Sequence, residues 1–239
     1  MNTVVPISIW PGGMINCFLI KGNKQHILVD TGLPNSEQKI FRQLTALNIR
    51  KQDVGLIIIT HAHIDHFGSA GKLRQTLGIP VLAHQRDLDA YLAGRADART
   101  LKANKPQWEL FKLMIKNQTT MPFTPDILLA GDDGFDLNPW GVDGKVISTP
   151  GHTPGSLSVI LENGESIIMD MMASGILMGG LVLSSRVKHP PFHHDLATLK
   201  GSFEKVLMFK GERYYLGHGG PVSRTQVIRY FEQFLQATH

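Results

Sequence analysis

Among 239 residues there is a single cysteine, Cys17. One thiol can form no internal disulfide and no cysteine-based metal site, which suits a reducing compartment and marks Cys17 as a small buried residue. Long apolar runs are missing too. None reaches the ~18 residues of a membrane span, and Met1 to Gly13 has no basic segment ahead of its apolar residues. The chain is therefore expected to be cytoplasmic, with no membrane partner. Aromatic residues make up only 8% of the sequence, which bears on how its net charge of +4 is read. Between Arg86 and Lys116 seven Lys and Arg face four Asp and Glu, with Tyr91, Trp108 and Phe111 the only rings among them. Nucleic-acid surfaces interleave such charge with rings on which bases stack, so no nucleic acid is expected as a partner and the segment reads as a solvated helical face. Repeats are absent, and 42% hydrophobic content is enough for one sizeable core, so residues 1–239 are expected to form a single domain.

What the chain does have is histidine and aspartate at the ends of apolar runs. The stretch Thr60-His61-Ala62-His63-Ile64-Asp65-His66 follows Gly55-Leu56-Ile57-Ile58-Ile59. A uniformly apolar, β-branched run reads as a strand buried on both faces, and open α/β sheets carry their chemistry at the C-terminal ends of such strands. Alternate side chains of an extended segment share a face, so His61 and His63 can converge on one ion while Asp65 and His66 reach a second. Three imidazoles and a carboxylate at a buried strand end would be costly to desolvate with no ion to share. Further donors follow in the same kind of context: His152 within Thr149 to Ser156, Asp170 after Ser166-Ile167-Ile168-Met169, and His218 within Tyr215 to Gly220.

The pattern HxHxDH followed by His, Asp and His resembles the metallo-β-lactamase superfamily of hydrolases, and the resemblance covers nearly the whole chain. It implies an α/β fold of four layers, an αβ/βα sandwich, with two divalent ions in a cleft at one edge between the sheets. It also implies that His61, His63 and His152 hold one ion, that Asp65, His66 and His218 hold the other, and that Asp170 bridges them. Zinc is the first expectation for so His-rich a shell, with iron or manganese as alternatives. Two ions roughly 3.5–4 Å apart can lower the pKa of a bridging water enough to hold hydroxide near neutral pH. Asp65 is the expected catalytic residue, holding that hydroxide and passing its proton to the leaving group. Asp30, after the run Gln25 to Val29, reads either as a turn former or, as the resemblance implies, as a carboxylate orienting the metal loop.

In chain order the patterning predicts strands over Val4 to Ile9, Met14 to Lys21 and Gln25 to Asp30, then a helix capped by Ser36 and running to about Leu47. After the metal loop come a helix over Gly68 to Leu77 and a strand over Ile79 to Ala83 ending at His84. Residues 86–118 carry helical patterning broken at Asn104-Lys105-Pro106, and the resemblance makes them a variable helical insertion, fit for a cap or a subunit contact. Strands follow at Ile127 to Leu129, Gly134 to Leu137, Gly141 to Ser148, Leu157 to Leu161 and Ser166 to Met169, with Asn163-Gly164 marking a hairpin. A loop from Asp170 to His194, a helix from Asp195, a strand over Arg213 to Leu216 and a helix from Ser223 close the chain. His84, His189, His193 and His194 stand as further residues that could line the site.

Other branches of the family differ at identifiable points. The commonest dizinc β-lactamases place a Cys among the second ion's ligands, hydroxyacylglutathione hydrolases append a helical domain where only 21 residues follow His218, and flavodiiron reductases put Glu at the position of His63. What remains is similar to the small acyl-homoserine lactonases, although residues 171–185 lack the Tyr those enzymes carry. Three activities stay open: hydrolysis of a carboxylic ester, thioester or lactone; a phosphodiesterase or nuclease on the same site; and a mononuclear iron persulfide dioxygenase. The tract Met171 to Val187 holds Arg186 against Ile176, Leu177, Met178, Leu181, Val182 and Leu183. If it borders the site, it favours a small-molecule substrate with an apolar acyl group. The oligomeric state is left open between monomer and dimer.

Overall fold

The apolar run ahead of the first histidines is buried on both faces because its alternate side chains enter two different cores. In the computed structural model, which describes residues 2–103, 109, 112, 113, 115–132, 134–176 and 182–237, Leu56 and Ile58 face a second sheet while Ile57 and Ile59 face helices. Burying each such side chain stabilises the fold by about 1.5–3 kcal/mol.

The first half comprises β1 (Thr3–Trp10), β2 (Ile15–Lys21), β3 (His26–Val29), α1 (Glu37–Ala46), β4 (Val54–Ile58), α2 (Ile64–Phe67), α3 (Ala70–Leu77), β5 (Val81–His84), α4 (Leu88–Ala93), β6 (Lys102–Ala103) and β7 (Ile127–Leu129). The second half comprises β8 (Phe135–Asp136), β9 (Gly144–Ser148), β10 (Leu157–Leu161), β11 (Glu165–Ile167), β12 (Ala173–Ser174), β13 (Val187–Lys188), β14 (Phe192–His193), α5 (Leu196–Leu207), β15 (Arg213–Tyr215), β16 (Val222–Ser223) and α6 (Arg224–Ala237). Two six-stranded sheets result, ordered β1-β2-β3-β4-β5-β7 and β16-β15-β11-β10-β9-β8.

Three cores separate four layers. Phe18, Ile20, Leu56 and Ile58 meet Val146, Val159, Leu161 and Ile167 between the sheets. Outside the first sheet, Ile57, Ile59 and Ala83 pack on Ile40 and Leu44 of α1 and Leu73 of α3. Outside the second, Ile147 and Ile160 pack on Leu199, Phe203 and Val206 of α5 and on Val227 and Tyr230 of α6. This is the expected four-layer αβ/βα sandwich.

Strand direction places the site. β3, β4, β5 and β7 run parallel, so β3 and β4 deliver Asp30 and His61 at one end. In the second sheet β9 and β11 are both antiparallel to β10, and β15 is parallel to β11, so β9, β11 and β15 share a direction. Their following turns carry His152, Asp170 and His218. Leu157 N donates to Thr60 O at 2.8 Å, joining the sheets beside the first histidine.

Several expectations need correction. The Ser36 side chain makes no cap bond to α1; its backbone N–H instead donates to Ser69 Oγ at 2.8 Å. The strand expected over Ile79 to Ala83 begins at Val81, just past Pro80, which has no N–H for the ladder. In place of one solvated helical face, the 86–118 segment contains α4, the turn Ala98–Thr100 and strand β6, with Glu109, Lys112, Leu113 and Ile115 helical. Trp108, Phe111 and the expected break at Asn104-Lys105-Pro106 lie outside the described residues. The expected loop from Asp170 to His194 contains β12 paired with β13, and β14 paired with β6 across a long stretch of chain.

Candidate metal centre

Each donor arrives by a short connection that leaves its strand sharply. His61 and His63 lie in the extended segment after β4, and Asp65 and His66 in α2, for which His63 is the N-cap. His152 sits between β9 and β10. Asp170 occupies the turn Met169–Met171 after β11, entered through Met169 at φ 43°. His218 follows β15, and the chain leaves it through Gly219 at φ 90°, where a Cβ would strike Ser174.

Ring orientation follows from the hydrogen-bond network, which assigns the tautomers. Thr60 donates from N and Oγ1 to Asp30 at 2.7 Å each, and His66 Nδ1 donates to Asp30 Oδ2 at 2.7 Å. Because the Thr60 hydroxyl proton is committed to Asp30, His61 Nδ1 donates to Thr60 Oγ1 at 3.1 Å. Thr100 Oγ1 likewise donates to Asp97 O at 2.7 Å, so it accepts from His63 Nε2 at 2.9 Å. His218 Nδ1 donates to Met14 O at 2.5 Å. These bonds leave His61 Nε2, His63 Nδ1, His66 Nε2 and His218 Nε2 as the ring nitrogens turned toward the centre.

Those nitrogens converge. His61, His63 and His152 place one donor each within 4.8 Å of one another, and so do Asp65, His66 and His218. His152 Nε2 is 2.9 Å from His63 Nδ1, His218 Nε2 is 3.4 Å from Asp65 Oδ2, and His66 Nε2 is 3.7 Å from the same oxygen. Asp170 reaches both groups, with Oδ2 3.6 Å from His152 Nε2 and 3.1 Å from His218 Nε2, and Oδ1 3.7 Å from His66 Nε2. Two ligands each about 2.0–2.2 Å from a tetrahedral ion stand about 3.3–3.6 Å apart, close to these separations. His61 Nε2, His66 Nε2 and Asp170 Oδ1 are buried with no hydrogen-bond partner among the described residues. Orphaned buried polar atoms of this kind are what a shared cation would satisfy. Gly217 keeps the space open, since a Cβ there would collide with Asp170 Oδ1 and approach His66 Cε1 to 2.7 Å. The donor set of imidazole and carboxylate therefore fits divalent metal.

The two groups differ electrostatically. Burial and neighbouring histidines push His61 and His152 well below the ordinary imidazole range, and burial lowers His63 to about 4. Burial opposes charge on His66 as well, but Asp170, Asp65 and Asp30 outweigh it and raise it to about 10. His218 is raised in the same way, with Asp170 the leading cause against burial. The trihistidine group thus holds neutral lone pairs, and the acidic group balances its carboxylates with protons a cation would displace.

Above these donors lies a narrow cleft lined by Leu101, Ile115, Pro191 and Phe192. Among its described residues the 86–118 segment therefore contributes Leu101 and Ile115 to the lining. None of the described residues of the tract 171–187 lines this cleft: Ile176, Val182 and Leu183 are exposed, and Leu177, Met178 and Leu181 lie outside the described residues. His84, His189, His193 and His194 are also absent from the lining. His84 Nδ1 accepts from Arg86 N at 3.1 Å, and His189 Nδ1 pairs with Tyr230 Oη at 2.6 Å. Two supporting residues carry no signal in the sequence. Asp87, counted above among the charges of a solvated face, is buried, and Asn16 Nδ2 donates to Gly13 O, Leu216 O and Gly219 O at 3.1–3.2 Å, holding the His218 turn.

A family model, the metallo-beta-lactamase superfamily, matches residues 10–218. The chain belongs to this superfamily. It is 32% identical over 190 residues to the uncharacterized protein YobT of Bacillus subtilis (strain 168), covering 78% of this chain and 73% of that one. It is 24% identical over 206 residues to the probable metallo-hydrolase YflN of the same organism, covering 82% and 76%. A metallo-beta-lactamase variant from Cronobacter sakazakii superposes with a TM-score of 0.68 at 22% identity, over 98% of this chain and 92% of that one, which shows the shared fold. Metal-dependent hydrolysis is the activity that fits this superfamily. Among the described residues no helix of this family member is long and apolar enough to cross a membrane.

Proposed function

We propose that the chain is a dinuclear metal-dependent hydrolase of carboxylic esters, thioesters or lactones with an apolar acyl portion, folded as a single domain. The observation that carries this reading is the convergence of seven donors, with Asp170 between two groups, where His63, Asp65, His152, Asp170 and His218 line a cleft whose other described lining residues are apolar. His61, His63 and His152 would hold one ion and Asp65, His66 and His218 the other, zinc first, with iron or manganese as alternatives. Bound there, two divalent ions supply Lewis acidity and draw a nucleophile from water at neutral pH.

The chain's own residues do the rest. Asp65 lines the cleft, its side chain is 12% exposed, and its carboxylate takes the proton released by attack and returns it to the leaving oxygen. Leu101, Ile115, Pro191 and Phe192 exclude water and seat the acyl group. No Lys or Arg is among the described lining residues, so the non-bridging oxygens of a phosphodiester find no cation there beyond the ions. None of those residues bears a hydroxyl either, which leaves a lactone carbonyl without the Tyr donor of the lactonases. The same poverty of cations supports a small molecule over nucleic acid as substrate, and the lone Cys17 supports a reducing, cytoplasmic setting.

The test is kcat/KM for a short-chain and a long-chain p-nitrophenyl ester and for bis(p-nitrophenyl) phosphate, with zinc, manganese and iron supplied in turn. The long-chain ester should be preferred. A clear preference for the phosphodiester sinks the proposal, and oxygen uptake with a persulfide in the absence of hydrolysis supports the iron dioxygenase instead.

A further inference from the structure

Asp87 lies outside the seven donors, in the turn Gln85–Asp87 that follows β5. It is only 5% exposed, and its carboxylate accepts three hydrogen bonds: from Ala62 N at 3.0 Å, Gly155 N at 2.8 Å and Thr153 Oγ1 at 2.7 Å. Ala62 is the residue between His61 and His63, and Thr153 follows His152. One carboxylate thus grips both segments that deliver the trihistidine group, from two different sheets. Gly155 is required for the grip, because a Cβ there would come within 2.7 Å of Asp87 Cγ. Two of the three partners are backbone N–H groups that can only donate, so an amide at this position would turn an NH2 toward a donor or leave one unsatisfied.

Asp30 fixes His66 directly and, through Thr60, also holds the His61 ring. The two buried carboxylates do not share a partner. We propose that Asp87 is a positioning residue for the trihistidine half of the centre: it sets His61 and His63 against His152 without touching an ion, and that half alone depends on it. The inference rests on the reading of those three histidines as ligands of one ion.

Chelator-competition titration with zinc tests it on the full chain, comparing the parent protein, Asp87→Asn, Thr153→Val and the pair His61→Ala and His61→Ala/Asp87→Asn. The parent should bind two ions. Asp87→Asn should weaken one of the two by roughly tenfold or more, the scale seen when groups behind metal ligands are removed. Thr153→Val, an isosteric change that deletes one of the three bonds, should shift the same ion by less, and it carries the test if Asp87→Asn fails to fold. With His61 removed, the remaining ion should bind equally well with Asp or Asn at position 87, which a general loss of structure would not allow. Unchanged affinities in both Asp87→Asn and Thr153→Val, or a weakened remaining ion in the double variant, overturn the proposal. A parent protein that binds no zinc would refute the ligand reading beneath it, a separate outcome.

Discussion

The floor of the cleft is polar and tied down by hydrogen bonds, whereas its roof is apolar. On the floor, His66 hangs from Asp30, His63 from Thr100 and His218 from Met14 O, and Asp87 binds two loops at once. The roof is Leu101, Ile115, Pro191 and Phe192, carried partly by the two-residue strands β6 and β14. The difference is chemical. Metal ligands need fixed lone pairs, which only saturated hydrogen bonding provides, while an acyl group needs shape and dryness, which many apolar side chains can supply. Floor substitutions should therefore change metal content and rate together, and roof substitutions should change substrate preference alone.

The sharpest break between the two regions should come at Asp170, whose oxygens stand between both groups. Asp170→Ala is expected to lower bound metal measurably and kcat/KM by at least roughly 10²-fold, read by elemental analysis and ester hydrolysis on the same sample. Asp65→Asn should lower bound metal and cost roughly 10²–10⁴-fold in kcat, with KM little changed, because it weakens one ion's ligand set and removes proton transfer together and leaves the roof intact.

How far each region could be read beforehand follows the same division. The HxHxDH stretch is local, and its strand is apolar on both faces, so His61 to His66 and β4 stood out from the residues alone. His152, Asp170 and His218 sit in similar contexts, but their assembly depends on the parallel directions of β9, β11 and β15, which the resemblance supplied and periodicity did not. Asp87 was illegible because a carboxylate among surface-like charges looks solvated until the Thr153 loop is folded onto it. The described roof residues Leu101 and Phe192 were illegible because β6 and β14 pair across a long stretch of chain, and two-residue strands leave no periodic trace.

Smaller effects are expected above the ions. Phe192→Ala should leave metal content unchanged and lower kcat/KM for the long-chain ester by about 1–3 kcal/mol in transition-state binding, roughly 10–200-fold, with little effect on an acetate. A fall in bound metal in this variant would erase the distinction between roof and floor. The smallest change should come at the far end of β5, where Arg74 pairs with Asp126, which also accepts from Val81 N at 2.9 Å. The Arg74 side-chain bond holds the Asp126 carboxyl below its ordinary 3.8. A depressed carboxyl adds stability that is complete above its ordinary pKa and is lost as pH falls through the depressed value. Arg74→Ala should therefore cost less than about 1 kcal/mol at pH 7 for so exposed a pair, and the gap from the parent in urea melts should close below about pH 4.

The most direct measurement is the metal content of the purified parent chain, by elemental analysis, alongside each single replacement of His61 and His218 by Ala. Two groups of three donors sharing Asp170 predict about two ions per chain, with each replacement lowering the content toward one. A parent chain that saturates at one ion, and a His218→Ala variant that keeps it at full affinity, would contradict the dinuclear centre on which the account rests.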